Sequence, residues 1–80
     1  MNRKLTKKEF KAIREVLGLT QTEYAELLNV SLPHISRTEH NGKTSYDVSE
    51  KLDRLVKEKL ESMGMNIEEV LEVAKKGGLV

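Results

Sequence analysis

A short polar stretch in the middle of the chain carries side chains suited to contacting nucleic-acid bases. Arg37 has a guanidinium fork that matches O6 and N7, the two acceptors on the major-groove edge of guanine. His34 and Ser36 can each donate or accept a hydrogen bond at a base edge. Leu32 or Pro33 offers an apolar contact for a thymine methyl. These side chains can act together only if a helix presents them on one outward ridge.

Other kinds of chemistry have no comparable pattern in this sequence. His34 and His40 would lie about 240° apart on one helix, and the chain has no cysteine to complete a metal site. No serine has the spacing that marks a nucleophile with a positioned base, and no phosphate-binding loop is present. We therefore expect neither an enzyme nor a bound metal or cofactor.

Capping residues and apolar spacing divide the chain into helices, and no run of residues alternates as a strand would. Thr6 with Glu9 forms a capping box that begins the first helix, which Gly18 ends. Thr20 with Glu23 forms a second capping box. The sequence predicts an all-α bundle of five helices, at about residues 7–17, 21–28, 32–40, 45–63 and 67–76.

The last two predicted helices have caps of their own. Thr44 or Ser45 would begin the fourth helix, and Gly64 would close it. Asn66 with Glu69 would form a third capping box at the start of the fifth helix.

The second and third predicted helices are separated by only three residues. Asn29 can adopt the left-handed conformation that ends a helix, and Ser31 is a good N-cap for a helix with Pro33 in its first turn. Such a connection is typical of a helix-turn-helix, whose second helix enters the major groove of DNA. At about 100° per residue, and with Ile35 facing inward, Pro33 and Arg37 point away from the core.

The same segment matches a known sequence pattern. Residues 18–28 are Gly-Leu-Thr-Gln-Thr-Glu-Tyr-Ala-Glu-Leu-Leu, Val30 and Ser31 follow, and residues 35–39 are Ile-Ser-Arg-Thr-Glu. With its surroundings, residues 13–53, this stretch resembles the Cro/C1-type, or Xre, helix-turn-helix family of phage and bacterial repressors. The resemblance implies a lambda-repressor-like domain that binds operator sites in double-stranded DNA and regulates transcription, typically as a repressor.

The resemblance also implies roles for individual residues. The family's base-reading positions fall on Leu32, Pro33, His34 and Arg37, close to the ridge found from helical periodicity. Gln21, at the start of the second helix, would contact a phosphate together with backbone N–H groups.

Arg14 and Glu39 match a family pair that ties the first helix to the third. A partly buried ion pair of this kind orients a helix more than it stabilises the fold, so we expect both residues to be architectural. Thr38 occupies a position where the family usually has an apolar residue. We therefore expect the third helix to pack slightly less tightly against the core. The turn after Glu39 has one more residue before Gly42 than the family pattern usually has. Asn41 and Lys43 lie in this turn, and both are expected to contact DNA phosphates.

Charge is unevenly distributed although the net charge is only +1. Residues 1–20 hold six cationic and two anionic side chains, a net charge of +4, whereas residues 21–50 hold two and five, a net charge of −3. The basic first helix suits a face that lies on phosphate. A solvated basic helix is the alternative.

The last two predicted helices carry more apolar surface than a four-helix unit needs. The residues concerned are Val56, Leu60, Met63, Ile67, Val70, Leu71, Ala74 and Leu79. We expect residues 64–80 to extend the DNA-binding domain, residues 1–63, and this surface to form a homodimer that spans two DNA half-sites. The alternative is that the fifth helix folds back and completes the monomer core.

Other functions and partners stay open at this point. The protein could be an antitoxin or another protein-interaction module whose fifth helix binds a toxin or effector protein, or a DNA-binding accessory of recombination or transposition. The sequence has no apolar run long enough to span a membrane and no signal segment. We expect a cytoplasmic protein without a membrane partner.

Overall fold

A computed structural model of the chain describes residues 4–40 and 48–79. The chain folds as an all-α bundle of five helices, and no strand occurs in the described residues. The expected fold class is therefore confirmed. The helices are α1 Lys7–Leu17, α2 Gln21–Leu28, α3 Leu32–Glu39, α4 Glu50–Ser62 and α5 Ile67–Lys76.

Local capping places α1 and α2 where the sequence predicts them. Thr6 Oγ1 accepts the N–H of Glu9 at 3.1 Å, and Glu9 Oε1 accepts the N–H of Thr6 at 2.9 Å. Thr20 and Glu23 make the same reciprocal pair, at 3.1 and 2.8 Å. Asn29 ends α2 with a φ of 57°, the left-handed conformation that its short polar side chain tolerates.

Helix ends are less well predicted where the cap is ambiguous. α3 ends at Glu39, one residue earlier than expected, and its N-cap Ser31 makes no side-chain cap bond. The predicted start of α4 is wrong: the helix begins at Glu50, because Ser49 accepts the N–H of Leu52 at 3.1 Å and caps it there. The cap of α5, Asn66, accepts the N–H of Glu68 rather than that of Glu69.

The predicted caps Thr44 and Ser45 lie outside the described residues. Because Val48 and Ser49 are not helical, the start of α4 does not depend on those two positions.

The core lies between all five helices and centres on large apolar side chains. Phe10 of α1 and Tyr24 of α2 are fully buried, with ring centroids 4.9 Å apart. Ile35 of α3, Leu52 of α4 and Val70 of α5 belong to the same cluster. Burial of this aliphatic and aromatic surface is the main favourable contribution to folding.

α5 packs chiefly against α1, with a smaller contact to α4. Its Val70 and Ala74 are buried, as are Val56 and Leu60 of α4. These four residues cannot form the open dimer surface expected from the sequence, because the monomer already covers them. The alternative, in which the fifth helix folds back and completes the monomer core, agrees with this packing.

Asp53 of α4 anchors the segment that precedes α1. Its Oδ1 accepts the N–H of Leu5 at 2.9 Å, and Lys57 Nζ donates to its Oδ2 at 3.0 Å. Asp53→Ala is expected to lower the free energy of unfolding by about 1 to 3 kcal/mol, because it leaves a partly buried N–H without its acceptor. Asp53→Asn keeps an acceptor for Leu5 and should recover most of the loss in urea denaturation. An equal loss in both variants would assign the stabilisation to the ion pair instead.

Gly18 ends α1 in the left-handed region, with a φ of 71°. Gly18→Ala is expected to cost about 1 kcal/mol, because a Cβ is strained in this conformation even where space is open. Gly77 is the matched control, since its φ is −82° and a Cβ there would make only ordinary contacts. Gly77→Ala should leave thermal stability unchanged or slightly raised. A larger loss at Gly77 than at Gly18 would contradict this account.

Candidate nucleic-acid interface

Two buried side chains hold the inner face of α3 against the core. Ile35 is fully buried, and Thr38 is 1% exposed. The Thr38 hydroxyl donates to the carbonyl oxygen of His34 at 2.8 Å, so its polar group is satisfied within the helix. This hydrogen bond explains how a threonine occupies a position where an apolar residue was expected.

The outer face of α3 carries most of the predicted base-contacting residues. Pro33, Ser36 and Arg37 are exposed, and Leu32 is 41% exposed although it is apolar. His34 is half-buried, so it lies at the edge of this face. We call these five residues the α3 ridge. Helical periodicity predicted their arrangement, because Ile35 and Thr38 face the opposite way.

An ion pair joins α1 to the end of α3, as the resemblance implies. Arg14 Nε donates to both carboxylate oxygens of Glu39, at 2.9 Å to Oε2 and 3.2 Å to Oε1. Arg14 Nη1 donates to the carbonyl oxygen of Leu19 at 2.9 Å, in the connection between α1 and α2. The side chains are 16% and 3% exposed, so water screens this pair poorly.

Gln21, the predicted phosphate ligand, makes a contact that the sequence did not reveal. Its Nε2 donates to Glu39 Oε1 at 3.1 Å, so its side-chain amide is turned toward α3. The two residues are 18 positions apart, and no local pattern links them. The resemblance placed Glu39 beside Arg14, which was the one sequence signal near this contact.

Tyr24 lies close to this ion pair in the core. Its hydroxyl donates to the carbonyl oxygen of Phe10 at 2.9 Å and links α2 to α1. Burial raises the pKa of Tyr24 far above its usual value, and the nearby Glu39 carboxylate raises it further, although Arg14 acts in the opposite direction. The hydroxyl therefore keeps its proton and remains a donor at physiological pH.

A basic cleft of about 450 Å³ lies next to the C-terminal end of α3. Lys7, Lys8 and Lys11 of α1 line it together with His40. Glu39 also lines it, but Arg14 pairs with that carboxylate. The remaining lining residues are Glu15, Gly78 and Leu79. The structure thus brings the cationic side of α1 close to the C-terminal end of α3.

Two predicted site residues, Asn41 and Lys43, lie outside the described residues. In the part of the chain that is described, no group of three or more His, Asp or Glu side chains is placed to hold a metal ion. None of the helices described has the length and apolar character needed to cross a membrane. Comparison with protein-family models, curated proteins and solved structures finds no match for this chain.

Proposed function

We propose that this protein is a sequence-specific DNA-binding transcriptional regulator of the repressor type. In this proposal α2 and α3 form a helix-turn-helix, and α3 enters the major groove of double-stranded DNA. The α3 ridge is the observation that carries the proposal. It combines one exposed arginine with small polar and apolar side chains, on a helix whose opposite face is buried.

The basic cleft supports contact with the DNA backbone. Phosphates beside a major groove would meet cationic side chains at the end of the reading helix, which is where Lys8 and Lys11 lie. Such contacts add affinity without distinguishing sequences. In this proposal α1 therefore contributes affinity for DNA and α3 contributes sequence specificity. No cofactor or catalytic step is required, and the regulator would act in the cytoplasm.

A homodimer is part of the proposal, because one reading helix contacts only a few base pairs. Two copies would bind half-sites about one helical turn of DNA apart. The buried residues of α4 and α5 are not available for that contact. The two copies would have to meet through side chains that the monomer leaves exposed.

Selection of bound duplexes from a random DNA pool tests the proposal. The expected result is a consensus with two-fold symmetry, bound by two chains in sedimentation analysis. A consensus without symmetry would argue against the dimer but keep sequence-specific binding. Recovery of the pool without enrichment, with weak binding that salt abolishes, would contradict the function.

The protein-interaction alternative loses part of its original basis in this fold. It relied on an open apolar face of the fifth helix, but Val70 and Ala74 of that helix are buried against the rest of the chain. Coexpression with the product of a neighbouring gene checks this point. A stable stoichiometric complex that dissociates from DNA would favour a toxin or effector partner over operator binding.

A further inference from the structure

We propose that Gln21 is a positioning residue for the reading helix and not a ligand of the DNA backbone. The inference rests on the proposed function, and it concerns how α3 is held while it contacts bases. It contrasts with the phosphate contact that the resemblance implies for this position. The hydrogen bond from Gln21 Nε2 to Glu39 Oε1 is its starting point.

The geometry of the Arg14–Glu39 pair shows why a further contact matters. Arg14 approaches the carboxylate with a single group, Nε–H, which both oxygens share. Its Nη1 is directed to the carbonyl oxygen of Leu19 instead, so the guanidinium does not form the two parallel bonds that would fix a carboxylate in orientation. A carboxylate held by one shared donor can turn about that donor.

Gln21 supplies a second donor from a different helix. Its amide reaches Oε1, the oxygen that lies farther from Arg14 Nε, 3.2 Å against 2.9 Å for Oε2. One carboxylate is thereby held from α1 and from the first residue of α2. These two directions of approach restrict the carboxylate more than either donor alone.

The hydrogen bonds to Glu39 hold the C-terminal end of α3, close to Arg37. The N-cap Ser31 makes no side-chain bond, whereas the N-caps of the other four helices described all do. Glu39 lies at the opposite end of α3, two residues beyond Arg37. A small change in the position of Glu39 therefore moves the Arg37 guanidinium relative to the bases. Hydrogen bonds to base edges are sensitive to small displacements of the donor.

The test compares Gln21→Met with Thr22→Ala, a control at an exposed position in the same helical turn. Binding is measured to the selected site and to random duplexes of the same length, well below the unfolding midpoint of each variant. Gln21→Met should lower the ratio of the two affinities about 5-fold, on the scale of losing one ordinary hydrogen bond. Thr22→Ala should leave this ratio unchanged.

Two outcomes would overturn the inference. An equal loss of affinity on selected and random DNA would make Gln21 a phosphate ligand. A loss of unfolding stability with an unchanged affinity ratio would make its role purely structural. In either case an altered base preference in Arg37→Ala would show that the proposed function itself still stands.

A second measurement needs no DNA. In ¹H–¹⁵N spectra of the free protein, Gln21→Met should shift amide signals of α3, and those near Glu39 most, whereas Thr22→Ala should shift signals of α2 only. Shifts confined to α2 in both variants would overturn the coupling between Gln21 and α3. If the wild-type protein enriches no DNA sequence, the role in base reading falls with the proposed function, even where these shifts are seen.

Discussion

Glu39→Ala is expected to lower the free energy of unfolding by about 3 to 5 kcal/mol, the range found when one partner of a buried ion pair is removed. The substitution leaves the Arg14 guanidinium, only 16% exposed, without its carboxylate. It also removes the acceptor of the Gln21 amide. Small domains are stabilised by roughly 5 to 15 kcal/mol in total, so this one change would bring the fold close to its limit.

Urea denaturation of a matched pair of variants measures this effect. Glu58 of α4 pairs with Arg54 at 3.7 Å, and these side chains are 63% and 69% exposed. Glu58→Ala therefore should change the unfolding midpoint little, because exposed pairs within one helix contribute no more than about 0.5 kcal/mol. Similar losses in Glu39→Ala and Glu58→Ala would show that burial does not distinguish the two pairs, and our account of the Arg14–Glu39 pair would be wrong.

Arg37→Ala is expected to relax the preference at one base position of the selected site by about 1 to 3 kcal/mol, roughly 5- to 150-fold. Its guanidinium is the cation of the α3 ridge and is exposed, so its removal would take away the proposed bidentate base contact without disturbing packing. Competition between duplexes that differ at single positions measures the change. Affinity for random DNA should fall much less.

Arg54→Ala is the control, because Arg54 is also an exposed arginine but lies on α4, outside the proposed helix-turn-helix. Both variants lose one positive charge, so any general effect of charge on DNA affinity appears in each. If Arg37→Ala weakens binding to selected and random DNA by the same factor, Arg37 contacts a phosphate and does not read a base.

Much of the candidate interface could be predicted because it depends on interactions over a few residues. The capping boxes at Thr6 and Thr20 act over three positions, and Asn29 needs only its own backbone conformation. The inward Ile35 and the outward Arg37 follow from the helical repeat alone. Each of these patterns lies within a short segment, so it can be recognised without knowing how the rest of the chain folds.

Contacts between distant segments were not predictable in the same way. The amide of Gln21 has several polar partners within its reach in principle, and only the packing of α3 beside α2 selects Glu39. Similarly, Leu5 and Asp53 are 48 positions apart, and neither has a local pattern that points to the other. The partner of a flexible polar side chain depends on which helices become neighbours.

The placement of α5 shows the limit most clearly. Its apolar stripe establishes that Val70 and Ala74 must be covered, because exposed apolar surface of that size is unfavourable in water. The stripe does not indicate whether a second chain or the same chain covers it, because apolar contacts are non-directional and do not specify a partner. The sequence alone determined that five helices form, where α1 and α2 are capped, and which side of α3 faces outward. Only the tertiary structure decided that α1 covers α5 and that Gln21 faces Glu39, because both depend on how complete helices pack together.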